Sequence, residues 1–249
     1  AVPQDLPLLA PGDDFPPVTA AWGEAEGAAG LLALGGDLSV ATLSRAYRLG
    51  IFPWFSAGEP ILWWSPDPRM VLPVADFKLH KSLRKTLQKF LAHGGCEIRI
   101  DSAFSQVLAN CANVARAGQS GTWIVPAMQA AYARMHAAGL AHSVEVWVDD
   151  ELLGGLYCTA IGQTVFGESM FSHATDASKI ALAALVALCR AQGVVLIDCQ
   201  QNTQHLASLG AYPSSRETFC AHVAHASQQP PLHSQGDKML LYNLLIADY

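Results

Sequence analysis

Apolar positions along the chain fall into runs whose spacing keeps changing, and each change predicts an element. From Thr164 to Gln200 they predict strand, turn, helix and strand. Val165 and Phe166 open an apolar run that ends at Phe171, Thr175 or Asp176 is placed to cap a helix, and Ile180 to Leu188 is continuously apolar. Gly193 stops that helix, and Val194 to Asp198 follows as a strand rich in β-branched residues. Upstream, the alternation from His142 to Val148 predicts a strand and Asp149-Asp150-Glu151 a hairpin turn. Leu152 to Gly162 then pairs back, with Gly154-Gly155 marking a bulge or a close backbone approach. Cys96 to Ile100 is a further strand. Helices are predicted from Phe77 to Phe90 (Leu79, Leu83, Leu87, Phe90 and Leu91 as the apolar stripe), from Ser102 to Val114, from Pro126 to near Gly139, over Asn202–Ala211 and over Arg216–Ala226. A short helix capped by Asp37 or Ser39 carries Leu43, Ala46 and Tyr47 on one face and ends at Gly50. Residues 1–30, rich in Pro, Gly and Ala, read as extended chain. Lys238 to Tyr249 is apolar and fits a strand, a helix or a docking segment that covers the acceptor cleft and regulates access.

Composition narrows what such a chain can be. With 249 residues, 51% hydrophobic and 14% charged, it can bury a sizeable core as one large or two small domains. Its net charge of -6 argues against a protein that coats nucleic acid indiscriminately, while leaving room for a local basic patch. The six cysteines (Cys96, Cys111, Cys158, Cys189, Cys199 and Cys220) form no CxxC pair and no zinc spacing, so buried free thiols in a reducing cytosol are expected. No apolar run is long enough to span a bilayer and no secretion signal opens the chain, which predicts a cytoplasmic protein with no membrane association. Because residue 1 is Ala, a trimmed or engineered start is expected.

Candidate chemistry lies in three places. Glu168 interrupts an apolar strand, and Asp198 and Gln200 stand at the C-terminal end of another, where open α/β sheets place ligands; the plain alternative is that all three cap strand ends. Phe52, Pro53, Trp54 and Phe55 are followed by Trp63 and Trp64, a concentration of indoles that suits stacking on a nucleobase or, equally, a small aromatic core. Lys78, Lys81, Arg84, Lys85 and Lys89 line the outer face of the 77–90 helix. They are five of the chain's 15 Lys and Arg residues, a footprint for a phosphate backbone or simply a solvated face.

In order, the segments GLLALGGDLS, GIFPWFSAGEPILWWSPDPRMVLP, GTWI, AHSVEVW, LLGGLY, FGESMFS, ASK, LIDCQ and ASLGA resemble the leucyl/phenylalanyl-tRNA–protein transferase family, from about Gly30 to about Ala211. That resemblance implies an α+β fold: a mixed sheet flanked by helices, similar to GCN5-related N-acetyltransferases (75–249), behind a smaller N-terminal domain (1–74). It implies transfer of Leu, Phe or Met from aminoacyl-tRNA to acceptor proteins with N-terminal Arg or Lys, marking them for N-end rule degradation. It also implies no metal or other cofactor and a monomer. Matched motif by motif, Trp54, Trp123, Tyr47 and Tyr132 would hold the 3′-terminal adenosine. Leu156, Glu168, Met170, Leu182, Leu185 and Ile197 would form the aminoacyl pocket, and Asp198 and Gln200 the catalytic pair. Lys78, Lys81, Arg84, Lys85 and Lys89 would hold the tRNA backbone.

An aminoacyl ester is already activated, so the chemistry needs chiefly that ester and amine be held about 3–3.5 Å apart. Gln200 cannot titrate, but its carbonyl can orient the amine, with Asp198 placed to fix its NH₂ and offer charge to a cationic acceptor. Either Glu168 or Asp198 could meet the acceptor's Arg or Lys side chain. Three rival readings are weighed against this one. An acyl-CoA N-acyltransferase is disfavoured because SHATDASK has no glycine and would set Asp176 against a pyrophosphate. A tRNA-binding module would need no apolar pocket, and a purely structural reading treats the tryptophans as core and the lysines as solubility.

Overall fold

The computed structural model describes residues 5–114, 124–200 and 204–247. A small sheet near the N-terminus has the order β1-β2-β4-β3, built from β1 (Leu8–Leu9), β2 (Leu31–Gly35), β3 (Phe52–Pro53) and β4 (Leu62–Trp64), with helix α1 (Val40–Arg48) between β2 and β3. Ser39 starts α1 by accepting the Thr42 N–H, as the sequence predicts for one of its two candidate caps.

The large sheet has seven strands: β5 (Arg69–Pro73), β6 (Cys96–Ile100), β7 (Ala141–Val148), β8 (Glu151–Ile161), β9 (Thr164–Ser172), β10 (Leu196–Gln200) and β11 (Tyr212–Ser214), in the order β11-β5-β10-β9-β8-β7-β6. All neighbours are antiparallel except β9 and β10. Helices α2 (Lys81–Ala92), α3 (Phe104–Asn113), α4 (Pro126–Ala137), α5 (Ala177–Ala191), α6 (Gln204–Ser208), α7 (Arg216–Ala226) and α8 (Met239–Ile246) surround it. The fold is thus α+β, with a mixed sheet flanked by helices. Arg69–Pro73, which the expected division at residue 74 assigns to the N-terminal part, lies inside the large sheet between β10 and β11.

Two apolar clusters cover the two faces of this sheet. One gathers α2, α5 and α8; the other joins α1, α3, α4 and α7 to the small sheet. Helix α5 is buried from Ile180 to Cys189, as its unbroken apolar run requires. Its start lies against β8: a Cβ on Gly154 would come within 2.5 Å of the Ala177 Cβ, which is the close approach expected of that glycine. Asp149 and Asp150 both take the left-handed conformation (φ 50° and 61°) that a tight hairpin turn demands.

Two element starts move, and one open alternative is decided. The helix predicted from Phe77 begins at Lys81, because Phe77 is buried and the Lys78 N–H is held by Leu209 O. The strand predicted from Val194 starts at Leu196. The apolar tail is a helix, α8, whose Leu241, Leu244 and Leu245 enter the core beside α2 and α5. Among the described residues no helix is long and apolar enough to cross a membrane.

Candidate active site

Two irregularities open the large sheet where β9 and β10 run parallel, the one such pair in it among the described residues. Strands β9 and β10 are in register at Val165 with Ile197 and at Phe166 with Asp198, and then part. On β9, Tyr157 faces Ser169 and Cys158 faces Gly167, so Glu168 is an extra, bulged residue. On β10, Asp198 faces Val71 and Gln200 faces Met70, so Cys199 is bulged in turn. Gln200 follows with φ 62°, a left-handed backbone that costs a non-glycine residue about 1–3 kcal/mol. Two adjacent bulges therefore aim Glu168 and Gln200 into one wedge.

A cavity of about 290 Å³ fills this wedge. Leu156, Met170, Leu182, Leu185 and Ile197 form an apolar wall, Glu168 and Gln200 the polar end, and Trp54 with Phe52 and Pro53 a rim from the small sheet. Of the residues singled out from the sequence, Trp54, all six of the aminoacyl set and Gln200 meet here. Trp123 lies outside the described residues. Tyr47, Tyr132 and Asp198 do not line the cavity; they are 0%, 1% and 1% exposed and sit behind it. Lys78, Lys81, Lys85 and Lys89 are exposed and away from the cavity, and Arg84 donates to Leu245 O of α8. The basic helix nevertheless begins beside the cavity's edge: His80 Nε2 lies 2.7 Å from Ser208 O of α6, whose Leu206 lines the cavity.

Behind the polar end, hydrogens are few and their directions follow. Tyr47 donates to Glu168 Oε1 at 2.6 Å, and Thr159 donates to the same oxygen at 3.0 Å. Tyr47 Oη and Tyr132 Oη are also 2.6 Å apart. A phenol has one proton, so with Tyr47's proton on Glu168, the Tyr132 proton has two acceptors in reach, Tyr47 Oη at 2.6 Å and Glu168 Oε2 at 3.4 Å. Gln200 Nε2 donates to Glu168 Oε2 at 3.3 Å, which puts the amide's carbonyl edge on the side away from Glu168. Burial raises the Glu168 carboxyl from its usual 4.5 to about 7, against hydrogen bonds from Tyr47, Thr159 and Gln200 that favour the ionised form. Burial likewise pushes the Cys199 thiol up to about 12, so it carries no thiolate for nucleophilic attack.

Asp198 departs from the expected geometry. It does not hold the Gln200 side-chain NH₂; its Oδ1 accepts the Gln200 backbone N–H at 2.9 Å. Its charge faces Arg69, which binds both carboxylate oxygens at 3.0 and 2.8 Å with both side chains fully buried. Arg69 is no candidate from the sequence alone, where its one signal is a lone arginine closing the Pro-rich aromatic run ahead of an apolar strand. Phe52 of the aromatic cluster lines the cavity too, as do Met128, Tyr157 and Ser169, to which the sequence assigns no role. Among the described residues no group of three or more His, Cys, Asp or Glu side chains could hold a metal ion.

Family models match this architecture in two pieces. One described as "Leucyl/phenylalanyl-tRNA protein transferase" matches residues 71–224, and one described as its N-terminal domain matches residues 36–67. The chain belongs to the leucyl/phenylalanyl-tRNA–protein transferase family. A relative of that name from Albidiferax ferrireducens is 63% identical over 222 residues, covering 89% of this chain and 87% of the relative. Another of the same name, from Polaromonas sp., is 60% identical over 247 residues, 99% and 97% of the two chains. Among solved structures, FemX is similar at a TM-score of 0.44 and 10% identity over 71% of this chain and 66% of that one. A GCN5-related N-acetyltransferase from Kribbella flavida scores 0.35 at 11% identity, covering 67% and 57%. The match over residues 71–224 runs from within β5 to within α7 and includes β9 and β10, whose bulges shape the wedge.

Proposed function

We propose that this chain transfers leucine, phenylalanine or methionine from aminoacyl-tRNA to the α-amine of proteins that begin with Arg or Lys, marking them for N-end rule degradation. One observation carries the reading: an apolar slot, an indole rim and a fixed amide converge on a single cavity. The donor's aminoacyl side chain enters the slot between Leu156, Met170, Leu182, Leu185 and Ile197. Its terminal adenosine lies against Trp54, with Trp123 assigned to the same task by resemblance alone. The basic face of α2 follows the tRNA backbone from the cavity's edge.

The acceptor's α-amine attacks the ester carbonyl, the new C–N bond forms, and the bond to the ribose oxygen breaks. The amine gives up one proton and the departing ribose oxygen gains one, so the step needs no outside reactant. An α-amine with a pKa near 8 is neutral often enough to attack at cell pH. The carbonyl of Gln200 accepts a hydrogen bond from that amine and orients it, while Glu168 holds the opposite edge of the amide. Leu, Phe and Met lack a branch at Cβ, and a narrow slot mouth selects against Val and Ile by about 1–3 kcal/mol per methyl. The basic residues, including Lys78 in the connection before α2, act through charge and therefore weaken with salt. The chain works as a cytoplasmic monomer.

Incubating the protein with [¹⁴C]Leu-tRNA and an Arg-starting peptide tests the reading directly. Label moves into the peptide, and Ile-tRNA serves poorly. Tight, salt-sensitive tRNA binding with no label transferred would instead make the chain a tRNA-binding module.

A further inference from the structure

Arg69 lies outside the cavity, yet it contacts Phe52 on the rim and, at Asp198, a residue that binds Gln200 at the polar end. In the plane of the guanidinium, Nε and Nη2 grip the two oxygens of Asp198 at 3.0 and 2.8 Å, and Nη1 donates to Gly50 O at 2.8 Å. The guanidinium carbon also lies over the rings of Phe52 and Phe219, 4.9 and 4.5 Å from their centroids. Three charge-assisted hydrogen bonds and two aromatic rings together fix this planar cation in place. Asp198 passes the constraint forward: the oxygen that accepts from Arg69 Nε also accepts the backbone N–H of Gln200, whose left-handed φ of 62° needs such a partner. Gly50 passes it the other way, standing two residues before Phe52 and four before Trp54, both on the cavity rim. Gly50 is fixed in its own right by φ 78° and by Ser65 Oγ, which donates to the same carbonyl at 3.1 Å.

We propose that Arg69 is a positioning residue for the transfer reaction, reaching Gln200 through Asp198 and setting the separation between the nucleotide rim and Gln200. This rests on the function proposed above. Buried ion pairs are often replaceable by apolar residues without loss of stability, which directs attention from holding the fold to fixing the geometry. Asp198 is 1% exposed and already paired, so it is neither the counter-ion of the acceptor's Arg or Lys side chain nor a proton acceptor from the amine. Lysine at position 69 would keep the charge but offer a point contact in place of the fork, letting the Gln200 turn and the rim drift independently.

The experiment compares wild type, Arg69→Lys and Asp198→Asn in single-turnover transfer from saturating Phe-tRNA. Two acceptor peptides are used, one beginning with arginine and one with its neutral isostere citrulline. Active, folded protein is counted by titration with 3′-amino-3′-deoxyadenosine acylated with phenylalanine, so partial misfolding cannot pass for slow chemistry. Both variants lose about 10- to 100-fold in rate per folded site, as a displacement near 1 Å produces, while donor KM changes less than about threefold. The ratio of rates on the two peptides stays at its wild-type value. Selective loss of rate on the arginine peptide in Asp198→Asn would place Asp198 on the acceptor and overturn the proposal. Full rate per folded site in Arg69→Lys would also overturn it, by leaving Arg69 a merely structural residue. A wild-type protein that transfers nothing would defeat the proposed function instead.

Discussion

The hydroxyl of Tyr47, on α1 of the small sheet, donates to Oε1 of Glu168, on the bulge of β9, at 2.6 Å. One short bond thus connects the N-terminal part of the chain to the polar end of the cavity, where burial raises the carboxyl and this bond, with those from Thr159 and Gln200, opposes the rise. Ionised, Glu168 accepts from the Gln200 amide and turns its carbonyl edge away. Protonated, it has a hydrogen to give and no longer selects that orientation.

Catalysis should therefore depend on Glu168 being ionised. Its carboxyl is raised to about 7 by burial, so the rate falls as pH drops through about 7. The acceptor amine also must lose a proton, and two required deprotonations give log rate a slope of about two on the acid side. Glu168→Gln removes one of them: the slope falls to about one, and the rate at pH 8 falls about 10- to 100-fold because the amide of Gln200 is no longer held. An unchanged slope in that variant would mean that Glu168 does not titrate in the working range.

The same group makes stability depend on pH, with a definite sign. Its folded value, about 7, lies above the ordinary 4.5, so between those values the folded chain holds more protons than the unfolded one. Stability then falls as pH rises from 4.5 to about 7. Chemical denaturation at pH 5 and pH 8 measures this contribution, and Glu168→Gln should flatten it relative to wild type.

Tyr47→Phe separates two roles for the buried tyrosines. The ring stays in its core, against Phe166 at 4.7 Å between centroids, and only the hydroxyl leaves. If Tyr47 serves Glu168, transfer slows by about tenfold at neutral pH and the Glu168 step moves to higher pH, because the charged form has lost its shortest donor. Binding of the acylated 3′-amino-adenosine analogue stays near wild type. Weakened binding with an unshifted pH profile would restore Tyr47 to the adenosine.

How much of this was readable beforehand follows from which interactions are local. The apolar run from Ile180 to Leu188 and the Asp149-Asp150 turn predict their elements because periodicity and left-handed propensity are properties of a few neighbouring residues. Family motifs, not spacing, put Leu156, Met170 and Ile197 in a shared pocket, since their strands meet only in the folded sheet. Arg69 and Asp198 are 129 residues apart, and nothing in either neighbourhood announces the other. The bulges at Glu168 and Cys199 were likewise hidden: each is a mismatch between two strands, and a single strand carries no trace of its partner's register. The tail stayed ambiguous because a dense apolar segment fits a strand or a buried helix equally well.

The apolar wall makes a prediction about substrate choice. Leu185 lines the cavity and is 1% exposed, so shortening it deepens the slot rather than opening its mouth. Leu185→Ala should raise transfer of the larger tryptophan relative to leucine while leaving Val and Ile disfavoured, because the exclusion of β-branched residues acts at the mouth. Competition among charged tRNAs measures the ratio. A gain for Ile without a gain for Trp would place the selecting contact elsewhere.

Helix α8 provides the final test, because it separates a stabilising tail from a gating one. Leu241, Leu244 and Leu245 are buried in the cluster with α2 and α5, and Arg84 of α2 donates to Leu245 O near the helix's C-terminal end. The helix does not line the cavity. Leu241→Ala should then cost about 2–5 kcal/mol of stability, read from urea denaturation, as a large-to-small change at a fully buried site does. Its rate per folded site should match wild type, and KM for the acceptor peptide should not move. Faster transfer in Leu241→Ala, at any stability, would mean that the tail restrains the site, and would return it to the role of a cover over the acceptor cleft.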